Sequence, residues 1–241
     1  MHTSQPFTIG FIGLGLIGGS IAKSIRGIFP EYRIVAYDVD SAALQEAVAD
    51  GTVQEACSRI DEQFQCCSYI FLCAPVHYNI EYLPLLKQYM RPNCILTDVG
   101  SVKTDIYQAV LDQQLSDVFI GGHPMVGSER SGYEAAHDRL VENAYYFVTP
   151  SGTVAEDKVD AFRTFIEDLG AIPILYSPER HDEITAYISH IPHVIASSLV
   201  NLVAAQDDEN GMLKQLAAGG FKDITRIASS NPVVWEHILL S

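Results

Sequence analysis

Two stretches of this 241-residue chain carry residue types and spacings that could do chemistry together. The first is Gly13-Leu14-Gly15-Leu16-Ile17-Gly18, a G-x-G-x-x-G turn. In such a turn Gly13 permits the tight strand-to-helix reversal, Gly15 lets a pyrophosphate approach the backbone, and Gly18 lets the helix lie close on the strand. The diphosphate would meet the N–H groups of Leu16 and Ile17 and the positive end of the helix dipole. Asp38 ends the next apolar run and would accept hydrogen bonds from ribose hydroxyls. It would also repel a 2′-phosphate, and Val39-Asp40 offers no arginine to receive one, so NAD is favoured over NADP. The second stretch is Gly121-Gly122-His123-Pro124. A neutral imidazole at a strand end beside a nicotinamide can take the hydroxyl proton, or a strengthening hydrogen bond, as hydride departs. Ser101, on a neighbouring strand end, could hydrogen-bond His123 and select its tautomer. A histidine before proline with a purely structural role is the competing reading.

The elements needed to position these groups follow from the apolar pattern. Phe7, Ile9, Phe11 and Ile12 form a short run typical of a buried parallel strand, and Leu16 to Ile25 continue at helical spacing. Ile34 to Tyr37 read as the second strand, followed by a helix capped by Ser41 and stopped at Gly51. Tyr69 to Ala74, Cys94 to Thr97, Val118 to Gly122, Tyr145 to Thr149 and Ile172 to Tyr176 read as further strands, with helices between. Carboxyl ends of such strands face the ligand in a doubly wound sheet, so Ala74-Pro75 is a lid over adenosine or ribose, or simply a strand-ending proline. From Ser177 the texture is helical: Glu179 to Ala205, Leu213 to Ala218, Phe221 to Ala228, and a last run from Trp235. The expected architecture is α/β, with a doubly wound, mostly parallel sheet over residues 1–176 and a smaller all-helical domain over residues 177–241. The apolar helical pattern running to Ser241 without a cap suggests further residues or a partner surface. The helical segment is too short to bury a large core alone, so it should pack on the first domain or on a second subunit.

Composition narrows the classes. With 48% hydrophobic and 19% charged residues the chain can build a packed core. A net charge of −15 disfavours nucleic acid and anionic membrane, and an anionic substrate would need a local cation. No uninterrupted apolar run approaches membrane-spanning length, and no basic leader precedes the glycine turn, so a cytoplasmic protein is expected. Cys57, Cys66, Cys67, Cys73 and Cys94 lack C-x-x-C or zinc spacing and read as reduced thiols. His190 and His193 lack an acidic partner at zinc-site spacing, so no metal is expected.

Five stretches carry a more specific likeness: GLGLIGGS at Gly13 to Ser20, DVGSVK at Asp98 to Lys103, GGHPMVGSERSG at Gly121 to Gly132, SHIPHVIA at Ser189 to Ala196, and FKDITRIASSNPVVW at Phe221 to Trp235. In order and coverage they resemble the prephenate/arogenate dehydrogenase family. The resemblance implies NAD-dependent oxidative decarboxylation in tyrosine biosynthesis, of prephenate to 4-hydroxyphenylpyruvate or of arogenate to tyrosine; a non-catalytic NAD-binding protein is the third reading. It implies His123 as the acid/base residue oriented by Ser101, and Arg226 on a substrate carboxylate, with Asp223 available as its ion-pair partner. His193 would line the substrate pocket with Ser189 nearby, and His190 would be structural. Ser128 and Glu129 would border the pocket, Glu129 having a solvated loop charge as its alternative. Trp235 would close the pocket or fill a core. Lys103 would neutralise phosphate or carboxylate charge, or lie at the surface. A homodimer formed through the helical domain and competitive inhibition by tyrosine are further implications.

Overall fold

A computed structural model describes residues 7–128, 130–230 and 232–240. Its elements are β1 (Thr8–Ile12), α1 (Leu16–Ile28), β2 (Arg33–Tyr37), α2 (Ser41–Ala49), β3 (Glu55–Cys57), β4 (Tyr69–Leu72), α3 (Val76–Tyr89), β5 (Ile95–Asp98) and α4 (Thr104–Asp112). They continue with β6 (Ile120–Pro124), β7 (Tyr145–Pro150), α5 (Glu156–Asp168), β8 (Ile172–Leu175), α6 (Pro178–Thr185), α7 (Ile191–Gln206), α8 (Met212–Leu216), α9 (Gly219–Thr225) and α10 (Pro232–Leu240). The chain divides into two compact units, residues 1–181 and 182–241, the division falling within α6.

In the first unit five parallel strands run in the order β3-β2-β1-β4-β5. The order reverses direction at β1, which places the glycine turn where a dinucleotide crevice forms in such sheets. Strand residues alternate between two cores, as the period of two requires. Ile9, Phe11, Ile34 and Phe71 pack with Ile21, Ile25, Phe162 and Phe165 on one face. Ile12, Val35, Ile70 and Leu72 pack with Leu83, Leu86, Ile106 and Val110 on the other. Because both faces are covered, these strands read as unbroken apolar runs. A second sheet, β6-β7-β8, has an antiparallel pair followed by a parallel one, and a single parallel bridge from Leu96 to Phe119 ties it to the first.

Several expectations shift. Asp40, whose side chain accepts from Ala42 N–H, caps α2 in place of Ser41. β3 is too short to leave an apolar period and escaped detection. His123 lies within β6, paired with Phe147, and does not follow the strand's end. Lys103 is fully buried in an ion pair with Asp98, so its charge serves the interior and reaches neither phosphate nor the surface. Pro178–Gln206 is a helical stretch long and apolar enough, by length and composition alone, to cross a membrane. Ser189, His190, Pro192 and His193 interrupt its apolar run.

In the second unit the described residues bury little: Thr185, His193 and Ala196 alone are buried. Tyr187, Ile188, Ile195, Leu202, Leu216 and Ile224 are all exposed.

The junction between the sheets depends on Asp98, the last residue of β5. Its Oδ2 accepts from Gly100 N–H at 2.9 Å and from Lys103 Nζ, and its Oδ1 accepts from Gly122 N–H at 3.2 Å. Removing one member of a buried pair strands the other charge. Lys103→Met should therefore cost about 3–5 kcal/mol in denaturant unfolding. The double variant Asp98→Asn/Lys103→Met should recover part of that loss, and equal destabilisation of both proteins would contradict the account.

Candidate active site

The glycine turn has the geometry its spacing calls for. Gly13 sits at φ +100°, the left-handed side that favours glycine, and its N–H donates to Tyr37 C=O at 2.8 Å. A Cβ on Gly18 would lie 2.4 Å from Gly13 O and 2.8 Å from Cys73 Cβ, so only glycine lets α1 approach β4 this closely. A Cβ on Gly15 would meet nothing within 4 Å, leaving room for a ligand against the backbone. Gly15 begins α1 without a side-chain cap, and no acid lies in the first turn. The N–H groups of Leu16, Ile17 and Gly18 belong to the first turn, which has no intrahelical acceptors of its own. An anion there meets donors and a favourable dipole.

Asp38 is held by its own loop. Oδ2 accepts from Leu14 N–H at 2.5 Å and Oδ1 from Asp40 N–H at 2.8 Å. Each oxygen has a second lone pair for a ribose hydroxyl. Gly13, Gly15, Asp38, Ala74 and Pro75 line one cleft of about 550 Å³. Tyr78 and Tyr82 of α3 also line it, with Tyr37 packed edge-on to Tyr82 at 5.8 Å. Both α3 tyrosines went unassigned in the sequence, although their spacing of four puts them on one helix face just after Pro75. Glycine backbone, helix terminus and carboxylate together fit a dinucleotide lacking a 2′-phosphate.

His123 stands on β6 with its Nδ1 at 2.8 Å from Nε2 of His181. His181 is fully buried and was not singled out from sequence. Phe147, opposite His123 on β7, lies nearly parallel to its ring at 6.2 Å and edge-on to His181 at 4.7 Å. An imidazole nitrogen has one in-plane direction for a hydrogen bond, so the partner at Nδ1 is a histidine and not the Ser101 hydroxyl. Ser101 occupies the turn between Asp98 and Lys103, both anchored by their ion pair. Ser128 is exposed, and its hydroxyl accepts from Arg130 N–H at 3.1 Å. Glu129 lies outside the described residues.

In the second unit, a π-helical turn over Ala186–His190 contains Ser189 and precedes α7. Such turns recur at functional sites. His193 is buried on α7, and Trp235 of α10 stacks face to face on it at 3.5 Å and 5°. His190 meets the same indole edge-on at 6.0 Å. Burial lowers the basicity of His193, partly offset by a hydrogen bond to the Ile227 backbone. Its Nδ1 is buried without a hydrogen-bond partner among the described residues. Arg226 begins the 3-10 turn Arg226–Ser229, next to the Ile227 that His193 engages. His193, Trp235 and the Arg226–Ile227 segment thus form one cluster, with a polar atom that a ligand could satisfy.

Known proteins share this organisation. Residues 21–175 match the family described as prephenate dehydrogenase, nucleotide-binding domain, and residues 177–241 match prephenate dehydrogenase, dimerization domain. The first match starts inside α1, so the glycine turn is assigned from its own geometry. Prephenate dehydrogenase of Bacillus subtilis is 38% identical over 240 residues, covering 97% of this chain and 63% of that protein. The Lactococcus lactis enzyme is 36% identical, with 95% and 63% covered. The chain thus spans less than two thirds of the length of these curated relatives. Prephenate dehydrogenase from A. aeolicus, solved with hydroxyphenyl propionate and NAD+, superposes with a TM-score of 0.91 at 31% identity, covering 99% of this chain and 83% of that one. Synechocystis arogenate dehydrogenase gives 0.84 at 31% identity, covering 97% and 83%. With matches in both halves, the chain belongs to the prephenate dehydrogenase family.

Proposed function

We propose that this chain carries out the NAD-dependent oxidative decarboxylation of prephenate to 4-hydroxyphenylpyruvate. The observation that carries the reading is His123, an imidazole fixed on β6 in the same unit as a glycine-turn cleft suited to NAD. Support comes from family membership and from the A. aeolicus relative solved with NAD+ and a hydroxyphenyl acid.

NAD, when bound, supplies the hydride acceptor. Gly13, Gly15 and Gly18 seat its diphosphate, the N–H groups of Leu16 and Ile17 bind it, Asp38 holds the ribose, and Ala74-Pro75 covers the adenosine side. His123 hydrogen-bonds the C4 hydroxyl of the cyclohexadienol through Nε2, taking its proton as the carbon becomes carbonyl-like. The ring carboxylate leaves as CO2, its bonding electrons complete the aromatic ring, and His123 returns the proton to the phenol oxygen. The products are 4-hydroxyphenylpyruvate, CO2 and NADH, with no net proton released. Ser101 lies beside this exchange and orients the reacting groups.

Arg226 binds a substrate carboxylate, bidentate where geometry allows. His193, Ser189, Ser128 and Trp235 shape the rest of the pocket, and Glu129 borders it. Strong binding of the departing carboxylate would stabilise the ground state, so Arg226 orients more than it accelerates. Arogenate, with an amino group in place of the side-chain keto group, is the second reading, favoured by the likeness to the Synechocystis enzyme. Tyrosine, which shares the ring and the side-chain carboxylate, would compete for the same pocket. The exposed apolar residues of the helical unit, matched by a dimerization domain, support a homodimer over a membrane span. Two histidines and a proline within the apolar stretch suit a protein interface better than hydrocarbon. A cytoplasmic location follows from this reading.

NADH release measured with prephenate and with arogenate, each with NAD and NADP, tests the proposal directly. Turnover with neither substrate sinks it. His123→Asn should lower kcat by about 10²–10⁴-fold while NAD still binds. Arg226→Ala should mainly raise the KM for prephenate; a pure kcat loss would remove its binding role. NAD should be preferred over NADP, and Asp38→Ser should narrow that preference in kcat/KM; an unchanged ratio would detach specificity from Asp38.

A further inference from the structure

We propose that His181 is the positioning residue of His123: its Nε2 accepts a hydrogen bond from Nδ1–H of His123, so that the lone pair of His123 that takes the proton lies on Nε2. The inference rests on the function proposed above, because the base role of His123 chooses the direction of the bond; the tautomer itself is read without turnover.

The argument is geometric. The nitrogens are 2.8 Å apart, so one must carry the proton and the other the lone pair. Either direction satisfies the bond, but only one leaves His123 able to take a proton at Nε2 while neutral. An imidazole free in water favours the opposite tautomer, with hydrogen on Nε2, so a base acting through Nε2 needs an acceptor at Nδ1. A carboxylate commonly fills that place, and its charge would also hold the imidazolium once formed. Here the acceptor is a second imidazole. It fixes tautomer and direction without setting a carboxylate at Nδ1 to retain the proton, which suits a step in which the phenol product takes that proton back.

Both rings are held against rotation. Phe147 faces His123 across the β6–β7 pair and stands nearly perpendicular to the ring of His181. The His181 backbone N–H donates to Ser177 C=O at 2.9 Å, which fixes its place on α6. His181 is also fully buried, so water does not compete for its nitrogen.

The test uses the full chain labelled with 15N-histidine, the His123 signals being assigned by their loss in His123→Asn. Long-range 1H–15N spectra should show the His123 proton on Nδ1. In His181→Phe, which keeps a ring but removes the acceptor, the proton should move to Nε2. In His181→Gln, whose terminal amide reaches where Nε2 stood, it should stay on Nδ1. With prephenate and NAD, His181→Phe should lose about 10- to 100-fold in kcat, part of what acid–base catalysis supplies, with little change in either KM. His181→Gln should regain most of that loss, which a merely structural role would not predict. A proton on Nε2 of His123 in the unsubstituted chain overturns the proposal. Unchanged tautomer and kcat in His181→Phe also overturn it. The predicted tautomer shift without prephenate turnover by any form would leave His181 in its role and remove the proposed reaction.

Discussion

The carboxyl group of Asp98 is paired with Lys103 in a place water does not reach, and the arrangement of the first unit's site follows from how its oxygens are satisfied. Its three donors come from the turn holding Ser101, from the residue preceding α4, and from the β6 residue next to His123. Two strands in different sheets, which share one backbone bridge among the described residues, are thereby drawn together at the position where chemistry is expected. A hydrophobic contact could join the same strands but would tolerate sliding. A carboxylate with defined lone-pair directions does not, and the buried Lys103 makes any other arrangement leave an unpaired ion.

This explains which parts of the site could be read in the sequence. The glycine turn was legible because each of its requirements is local: a positive φ at Gly13, close packing at Gly18, a carboxylate one strand later. The apolar runs of β1 and β4, and Ile95-Leu96 of β5, were legible because both faces of each strand are buried. Lys103 was not, because nothing in DVGSVK distinguishes a lysine folded back on Asp98 from one reaching for a ligand. His181 was missed for a similar reason. It lies 58 residues from His123, and only the approach of α6 to β6 makes them partners. In the helical region the sequence leaves Trp235 between core and pocket, because its face-on stack with His193, 42 residues away, carries no local signature.

The second unit obeys a different constraint. Sixty residues with three buried side chains among those described have too little interior to stand alone. Their cluster of His193, Trp235 and the Arg226–Ile227 segment is accordingly built from ring stacking and one backbone contact, with apolar side chains turned outward around it. That economy is sensible for a segment matched by a dimerization domain, since the apolar surface missing from a core is then available to an interface.

Charge sets the last condition. The chain has 30 acidic against 15 basic side chains, yet the proposed ligands are anions. Much of the basic complement is already committed: Lys23, Arg33, Arg59, Lys103, Arg139 and Arg163 all stand within ion-pair distance of carboxylates. A broad positive field is therefore absent, and recognition must be short-ranged. Beyond about 10 Å, salt screens the net charge from an approaching ligand. Within that range, the proposed function assigns the diphosphate to helix N–H groups, a carboxylate to Arg226 and the proton to the histidine pair. On that reading, using uncharged donors and acceptors wherever a cation is not essential is what lets so acidic a surface coexist with a site for anions.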